Sequence, residues 1–243
     1  MKEKLENLRV VLVATRNPLN IGAVARAMGN FGAPHLRVVE PYEPSFREAK
    51  SAVGAAELLA KAEEFSSVAL AVADCSLVVG TTAIGNREIK QPLRNLVEAG
   101  AMIRKRMAAG KVALLFGSEK RGLSNEDLSY CHWLLHIPTR EEQRSMNLGQ
   151  AAAVCLYELA RETAKSSKLR VEAEKFASME RVERITSELL EVLRASDYIS
   201  TRGTALAEKK LRRMIRRFAL EAADADVFLG MVTKIAWKLG RKG

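Results

Sequence analysis

Only 5% of the 243 residues are aromatic, and there are three cysteines and six prolines. So few aromatics argue against a nucleic-acid surface built mainly on base stacking. Cys75, Cys131 and Cys155 are too few and too scattered for a disulfide scaffold, and they are expected as buried thiols in a reducing compartment. No run approaches the ~18–20 uninterrupted apolar residues of a membrane span. The opening MKEKLENLR lacks the apolar core of a secretory signal. No G-x-G occurs, so the glycine-rich dinucleotide turn is missing. GSEKRGLS keeps the two glycines of a P-loop but places Leu123 where the phosphate-binding lysine must stand. No G-x-S-x-G hydrolase elbow exists either. Cys131, His132 and His136 bracket one apolar strand, where successive residues point to opposite faces, so no metal is expected. A cytoplasmic protein with neither membrane nor metal partner is the expectation.

What is present is an ordinary globular balance, 48% hydrophobic and 28% charged, which excludes wholesale disorder. The net charge of +10 is unevenly spread. Residues 1–160 hold 20 basic and 17 acidic side chains, and residues 161–243 hold 19 and 12. The excess in the last third points to a polyanionic partner. Up to about residue 162, short apolar runs alternate with helical patterns. Strands are expected at 9–14, 36–39, 76–80, 112–117 and 133–137. Helices are expected at 20–31, with Asn20 as N-cap, and at 48–65, 92–109 and 146–162. Strands apolar on both faces between helices indicate an α/β protein with a parallel sheet.

After Thr163 the strand signal disappears. Residues 164–168 (AKSSK) suit a linker, and helices are expected at 170–194, 206–222 and 225–239. This divides the chain into domains 1–164 and 165–243. In the tail Leu211, Met214, Ile215, Phe218 and Ala222 form a stripe at helical spacing. Lys209, Lys210, Arg212, Arg213, Arg216 and Arg217 flank it, with Glu208 the only acid close by in sequence. Such density favours phosphate contact over a merely solvated face.

In an open parallel sheet, ligands bind beyond the carboxyl ends of the strands. Three loops leave such ends: 80–87 (GTTAIGNR), 117–124 (GSEKRGLS), and Ile137-Pro138-Thr139-Arg140 running on to Arg144-Ser145-Met146-Asn147-Leu148. Together with Asn20-Ile21-Gly22-Ala23-Val24-Ala25-Arg26, they carry three motifs in order: N-x-x-A-x-x-R, FGxExxGL from Phe116 to Leu123, and I-P followed by S-x-N-L. In these motifs the chain resembles the SpoU (TrmH) branch of the SPOUT superfamily of RNA 2'-O-ribose methyltransferases, strongly over residues 8–162. VVLVATRNPLNIGAVARAMGNFG, SLVVGTTA, SNEDLSYCHW and the basic helical tail are most similar to its TrmJ-type subgroup.

The resemblance implies a SPOUT fold with a C-terminal trefoil knot, a homodimer, S-adenosyl-L-methionine as cofactor and tRNA as substrate, with cytidine or uridine 32 of the anticodon loop as target. It assigns Thr81, Thr82, Ala83, Gly117, Ile137, Arg144, Ser145 and Met146 to the cofactor. It assigns Arg26, Asn20, Glu119, Ser145 and Asn147 to catalysis. Arginine stays protonated, so Arg26 suits phosphate binding and stabilisation of a developing alkoxide better than proton removal. No acid lies between Thr15 and Val39 to pair with it. Glu119 is expected to orient Arg26 or the Lys120–Arg121 loop. Two alternatives stay open: an rRNA methyltransferase of the same family, and a non-catalytic RNA-binding protein on this scaffold.

Overall fold

The computed structural model describes residues 5–49, 54, 56–83, 89–161, 176–199 and 204–240. Its centre is a seven-stranded sheet: β1 (Leu8–Val13), β2 (His35–Val39), β3 (Glu63–Phe65), β4 (Leu77–Thr81), β5 (Leu93–Asn95), β6 (Val112–Phe116) and β7 (Trp133–His136). The order is β3-β2-β1-β6-β4-β7-β5, and every neighbouring pair is parallel. The two central strands are buried along their whole length. Leu8, Val10 and Leu12 of β1 face one core with Val112, Leu114 and Phe116 of β6. Val11 and Val13 face the other with Ala113 and Leu115. The period of two accounts for both cores.

The first core is covered by α1 (Pro18–Phe31), α2 (Glu43–Ala49), α3 (Ala56–Ala60), α5 (Leu96–Met107) and α7 (Leu148–Ala160). The second is covered by α4 (Val68–Ala71), α6 (Asn125–Ser129) and the tail helices α8 (Met179–Ala195), α9 (Thr204–Arg217) and α10 (Ala222–Gly240). Met179, Val182, Ile185, Leu211, Ile215 and Ala225 share that core with Val11, Val78, Leu115 and Leu134 of the sheet. The tail is thus laid against the sheet. The expected linker 164–168 and the boundary at 164/165 lie outside the described residues.

Several local expectations change. Asn17, not Asn20, caps α1: its side chain accepts from Leu19 N–H at 2.9 Å, and Pro18 occupies the first turn, where a missing N–H costs nothing. The helix expected over 48–65 is replaced by α2, α3 and β3, and 92–109 yields β5 before α5. Of the tail stripe, Leu211 and Ile215 are buried, whereas Met214 and Phe218 are exposed.

His132 is buried beside β4. Its backbone N–H donates to Val78 O (2.9 Å), and its Nδ1 accepts from Val78 N–H (3.0 Å). Burial first, then the charges of Arg216 and Arg106, push its pKa down to about 3. An unfolded histidine titrates near ~6.5, so the unfolded chain takes up this proton first as pH falls. The group costs nothing above that pH and removes about 1.4 kcal/mol of stability per pH unit below it. Glu119 and Asp74 have lowered pKa values, so their contributions are lost only at more acid pH, below the ordinary carboxylate range of ~4. Urea unfolding at pH 6.5 and 4.5 should therefore show a loss of about 2–3 kcal/mol attributable to His132. His132→Asn, whose Oδ1 can still accept from Val78, should remove that part of the loss. An unchanged pH slope in the variant would show that the ring is not the responsible group.

Candidate functional site

The carboxyl ends of β4, β6 and β7 open toward one cleft of about 570 Å³, within the ~300–1,000 Å³ usual for small-ligand sites. All three loops picked out in the sequence line it. Thr81, Thr82 and Ala83 come from the β4 end, Phe116 to Leu123 from the β6 end, and Ile137, Thr139 and Arg144 to Leu148 from the β7 end. Asn20 reaches it from α1.

A chain of hydrogen bonds ties the three motifs together. Glu119 Oε1 accepts from Asn20 Nδ2 and from the Asn17 N–H, both at 3.1 Å, and Oε2 accepts from the Arg16 N–H at 3.3 Å. Asn147 Nδ2 donates to Asn20 Oδ1 at 2.9 Å. Asn147 Oδ1 caps α7 by accepting from the N–H groups of Gly149 (2.9 Å) and Gln150 (3.3 Å). Partial burial alone would raise the pKa of Glu119, but hydrogen bonds from Asn20 and from backbone N–H groups hold it below its ordinary value. It is an ionised acceptor, and its partners are Asn20 and the α1 entrance. The expectation that it orients Arg26 is therefore corrected.

Arg26 does not line the cleft. It stands exposed on α1, six residues beyond Asn20, roughly 9 Å along the axis. It makes no hydrogen bond or ion pair among the described residues. On the same face of α1, Ala23 meets α7: a Cβ on Gly149 would lie 2.6 Å from the Ala23 methyl. Thr81 lines the cleft with its hydroxyl proton committed to Leu115 O (2.8 Å), so only its lone pairs and backbone face a ligand. Thr82 continues the ladder through its N–H to Leu135 O (2.9 Å), and Arg144 Nε is held by Glu141 O (3.1 Å). Ser145 is exposed in the lining, with no hydrogen bond among the described residues. Ser118 and Thr139, given no role from the sequence, also line the cleft. Their position next to motif residues is the only signal that could have found them.

Gly117 has a sharper reason to be glycine than ligand approach. A Cβ there would lie 2.1 Å from the carbonyl carbon of Gly122 and 2.2 Å from Leu123 N, so the loop doubles back on its own backbone. Gly117→Ala should force the loop open and weaken cofactor binding about tenfold or more, because overpacking of this kind costs roughly 1–3 kcal/mol. Calorimetric affinity equal to the wild type would remove this loop from the site.

The basic cluster of α9 divides. Arg212 and Arg216 are 3% and 2% exposed and offer nothing to a phosphate. Arg212 pairs with Glu183 (2.8 Å), Glu208 (2.6 Å) and Glu126 (3.5 Å), and Arg216 pairs with Glu183 (3.1 Å). Both guanidinium groups lie over the Tyr130 ring. Their expected RNA contact is corrected: they dock α9 onto α8 and α6. Lys209 is drawn to Glu126 at 2.5 Å. Lys210, Arg213 and Arg217 lie along another face, without ion pairs among the described residues.

Among the described residues no group of three His, Cys, Asp or Glu could hold a metal, and no helix is long and apolar enough to cross a membrane. A model of the SpoU rRNA Methylase family matches residues 7–157, and the chain belongs to this family of methylases. Its parallel sheet has the family's SPOUT fold. Within the family the chain is similar to TrmJ proteins. The tRNA (cytidine/uridine-2'-O-)-methyltransferase TrmJ of Sodalis glossinidius is 34% identical over 235 residues, covering 95% of this chain and 92% of that protein. The TrmJ of Klebsiella pneumoniae is 34% identical over 241 residues, covering 95% and 97%. The crystal structure of TrmJ from Z. mobilis ZM4 superposes with a TM-score of 0.80 at 27% identity, over 93% of this chain and 98% of that one.

Proposed function

We propose that the protein methylates the 2'-hydroxyl of a ribose in tRNA, at cytidine or uridine 32 of the anticodon loop, using S-adenosyl-L-methionine. The observation that carries this reading is the Glu119–Asn20–Asn147 chain, which joins all three family motifs around one cleft. The near full-length similarity to TrmJ proteins supports tRNA as the substrate.

The cleft suits the cofactor: its size fits, its lining combines small and polar residues with apolar ones such as Phe116, Leu135 and Ile137, and Ser145 presents a hydroxyl without a partner among the described residues. Residues 81–83, Gly117, Ile137 and 144–146 would hold it. When bound, it supplies a methyl group on a positively charged sulfur, already activated for displacement. The protein's work is then positioning and electrostatics. Asn20, Glu119 and Asn147 hold the loops in register. Arg26, outside the cleft and without a partner among the described residues, meets the RNA: it binds a phosphate next to the target ribose and stabilises the negative charge that develops on the 2'-oxygen as its proton passes to solvent water.

We also propose that the segment carrying the three loops is knotted and that two copies pair through the apolar side chains exposed on α1 and α7, among them Leu19, Val154 and Tyr157. A cytoplasmic setting agrees with three buried thiols whose pKa values burial pushes up to about 12. Transfer of labelled methyl groups to total tRNA, followed by mapping of the modified nucleotide, tests the function. Labelling of rRNA alone, or of no RNA despite saturable cofactor binding, would overturn it.

A further inference from the structure

Because every strand pair is parallel, all carboxyl ends lie along one edge of the sheet, and the cleft occupies only the part that belongs to β4, β6 and β7. Beside β6 stand β1 and then β2, each ~4.8 Å further across. Both strands end in the same unusual way. Ala14 follows β1 with φ 50°, and Glu40 follows β2 with φ 51°. That left-handed region suits glycine and is costly for alanine or glutamate. Residues held there gather where a site demands them. The two turns bring together Arg16, two residues beyond Ala14, and Tyr42, two beyond Glu40. The Arg16 guanidinium carbon lies over the Tyr42 ring, 5.1 Å from its centroid.

Both residues are fixed through their backbones and open at their side chains. The Arg16 N–H donates to Glu119 Oε2 at 3.3 Å, and the Arg16 carbonyl accepts from the hydroxyl of buried Ser45. Tyr42 follows Pro41, and its carbonyl accepts from the N–H of Phe46 at 3.1 Å. Phe46 is anchored in the first core. Yet Tyr42 is 46% exposed, and Arg16 is exposed with no ion pair or side-chain hydrogen bond among the described residues. Neither lines the cleft, but Glu119 does, so the Arg16 backbone stands one hydrogen bond from the cleft wall. An exposed cation–π pair contributes little to folding. What it offers is a positively charged π surface, and unpaired bases of RNA loops stack on guanidinium planes and aromatic rings. A guanidinium already held over a ring loses less freedom when a base arrives.

We infer that Arg16 and Tyr42 form a base-binding subsite beside the cofactor cleft, on which an unpaired base adjoining the target nucleotide stacks. The inference rests on the reading of the protein as a tRNA methyltransferase and adds a contact to a base the enzyme does not modify. A phosphate contact would need the charge of Arg16 and no ring. The ring, the exposure and the two left-handed turns together favour the base.

The test follows single-turnover methyl transfer by the full chain at saturating cofactor over a range of tRNA concentrations. It compares an intact tRNA transcript with transcripts that each lack one base among the unpaired neighbours of the target. Tyr42→Leu and Arg16→Gln should each raise the tRNA concentration needed for half-maximal rate about tenfold on the intact transcript, as expected for one stacked base. Maximal rate, cofactor affinity and melting temperature should stay near the wild type. On one abasic transcript the wild type should lose the same factor and Tyr42→Leu should lose nothing further. Tyr42→Phe keeps the ring and should match the wild type. Each phosphate neutralised contributes about 0.7–0.9 to the slope of log K against log salt, so Tyr42→Leu, which keeps the charge of Arg16, should keep that slope. A Tyr42→Leu variant that uses intact tRNA like the wild type, or that loses the same factor on every transcript, overturns the subsite and leaves the enzyme's function standing. A flattened salt slope in Tyr42→Leu would make the pair a phosphate contact and overturn the base assignment. A wild type that methylates no tRNA overturns the function on which the inference rests.

Discussion

Arg26→Ala should lower methyl transfer to tRNA by about 10²-fold or more, as expected for removal of a donor that acts on developing charge. Cofactor affinity should not change, because Arg26 is not in the cleft lining. Melting temperature should also hold, because the side chain is exposed and has no partner among the described residues to lose. Glu119, the acid expected to orient it, is committed to Asn20 and to the backbone of Arg16 and Asn17. An unpaired guanidinium contributes nothing to folding that would explain its place one turn from the α1–α7 contact. Arg26→Lys should recover only part of the rate, since an ammonium is a point charge without the planar fork. Single-turnover transfer with saturating cofactor separates the steps. Turnover near the wild-type value in Arg26→Ala would remove the residue from the mechanism.

Much of this architecture was legible because parallel strands buried on both faces are largely apolar: β6 (VALLF) is so throughout, and β1 (LRVVLV) is so everywhere except Arg9. The strands that escaped notice are those to which this constraint does not apply. β3 (EEF) and β5 (LRN) are three-residue strands at the two edges of the sheet, partly exposed, and they carry no apolar run. The site was legible in its loops, because glycine and small polar residues at strand ends mark where a ligand can approach. Its wiring was not. Asn20 and Glu119 are 99 residues apart, and Asn20 and Asn147 are 127 apart. A local window shows only that Asn20 precedes a helical pattern, which is why it resembles a cap. The α9 cluster failed for the same reason. Counting charges over nine residues finds Glu208, whereas Glu183 and Glu126 arrive from 29 and 86 residues away and turn half of a basic face into a buried ion-pair network.

That network leads to the second large effect. Arg212→Ala should cost about 3 kcal/mol of stability, near the lower end of what removing one partner of a buried pair costs, because Glu183 stays partly in contact with water. Its side chain is 26% exposed against 3% for Arg212. For a chain of this size that loss corresponds to a fall of about 6–12 °C in melting temperature. Arg216→Ala should act in the same direction. Its guanidinium is nearly enclosed, and burial pulls its pKa down against the pull of Glu183, so desolvation offsets part of what the pair contributes. In both variants the salt slope of tRNA binding, measured well below the melting temperature, should match the wild type. Neutralising Lys210, Arg213 and Arg217 should do the reverse: unchanged melting, flattened slope. Arg212→Met should destabilise less than Arg212→Ala, since the apolar stem still packs against the Tyr130 ring on which the guanidinium now lies, 4.4 Å from its centroid. Thermal melts and salt titrations on the same preparations decide the matter. If Arg212→Ala kept its melting temperature and lost salt dependence, the buried face of α9 would be the one that grips RNA, and the division of its charges into structural and binding sets would be wrong.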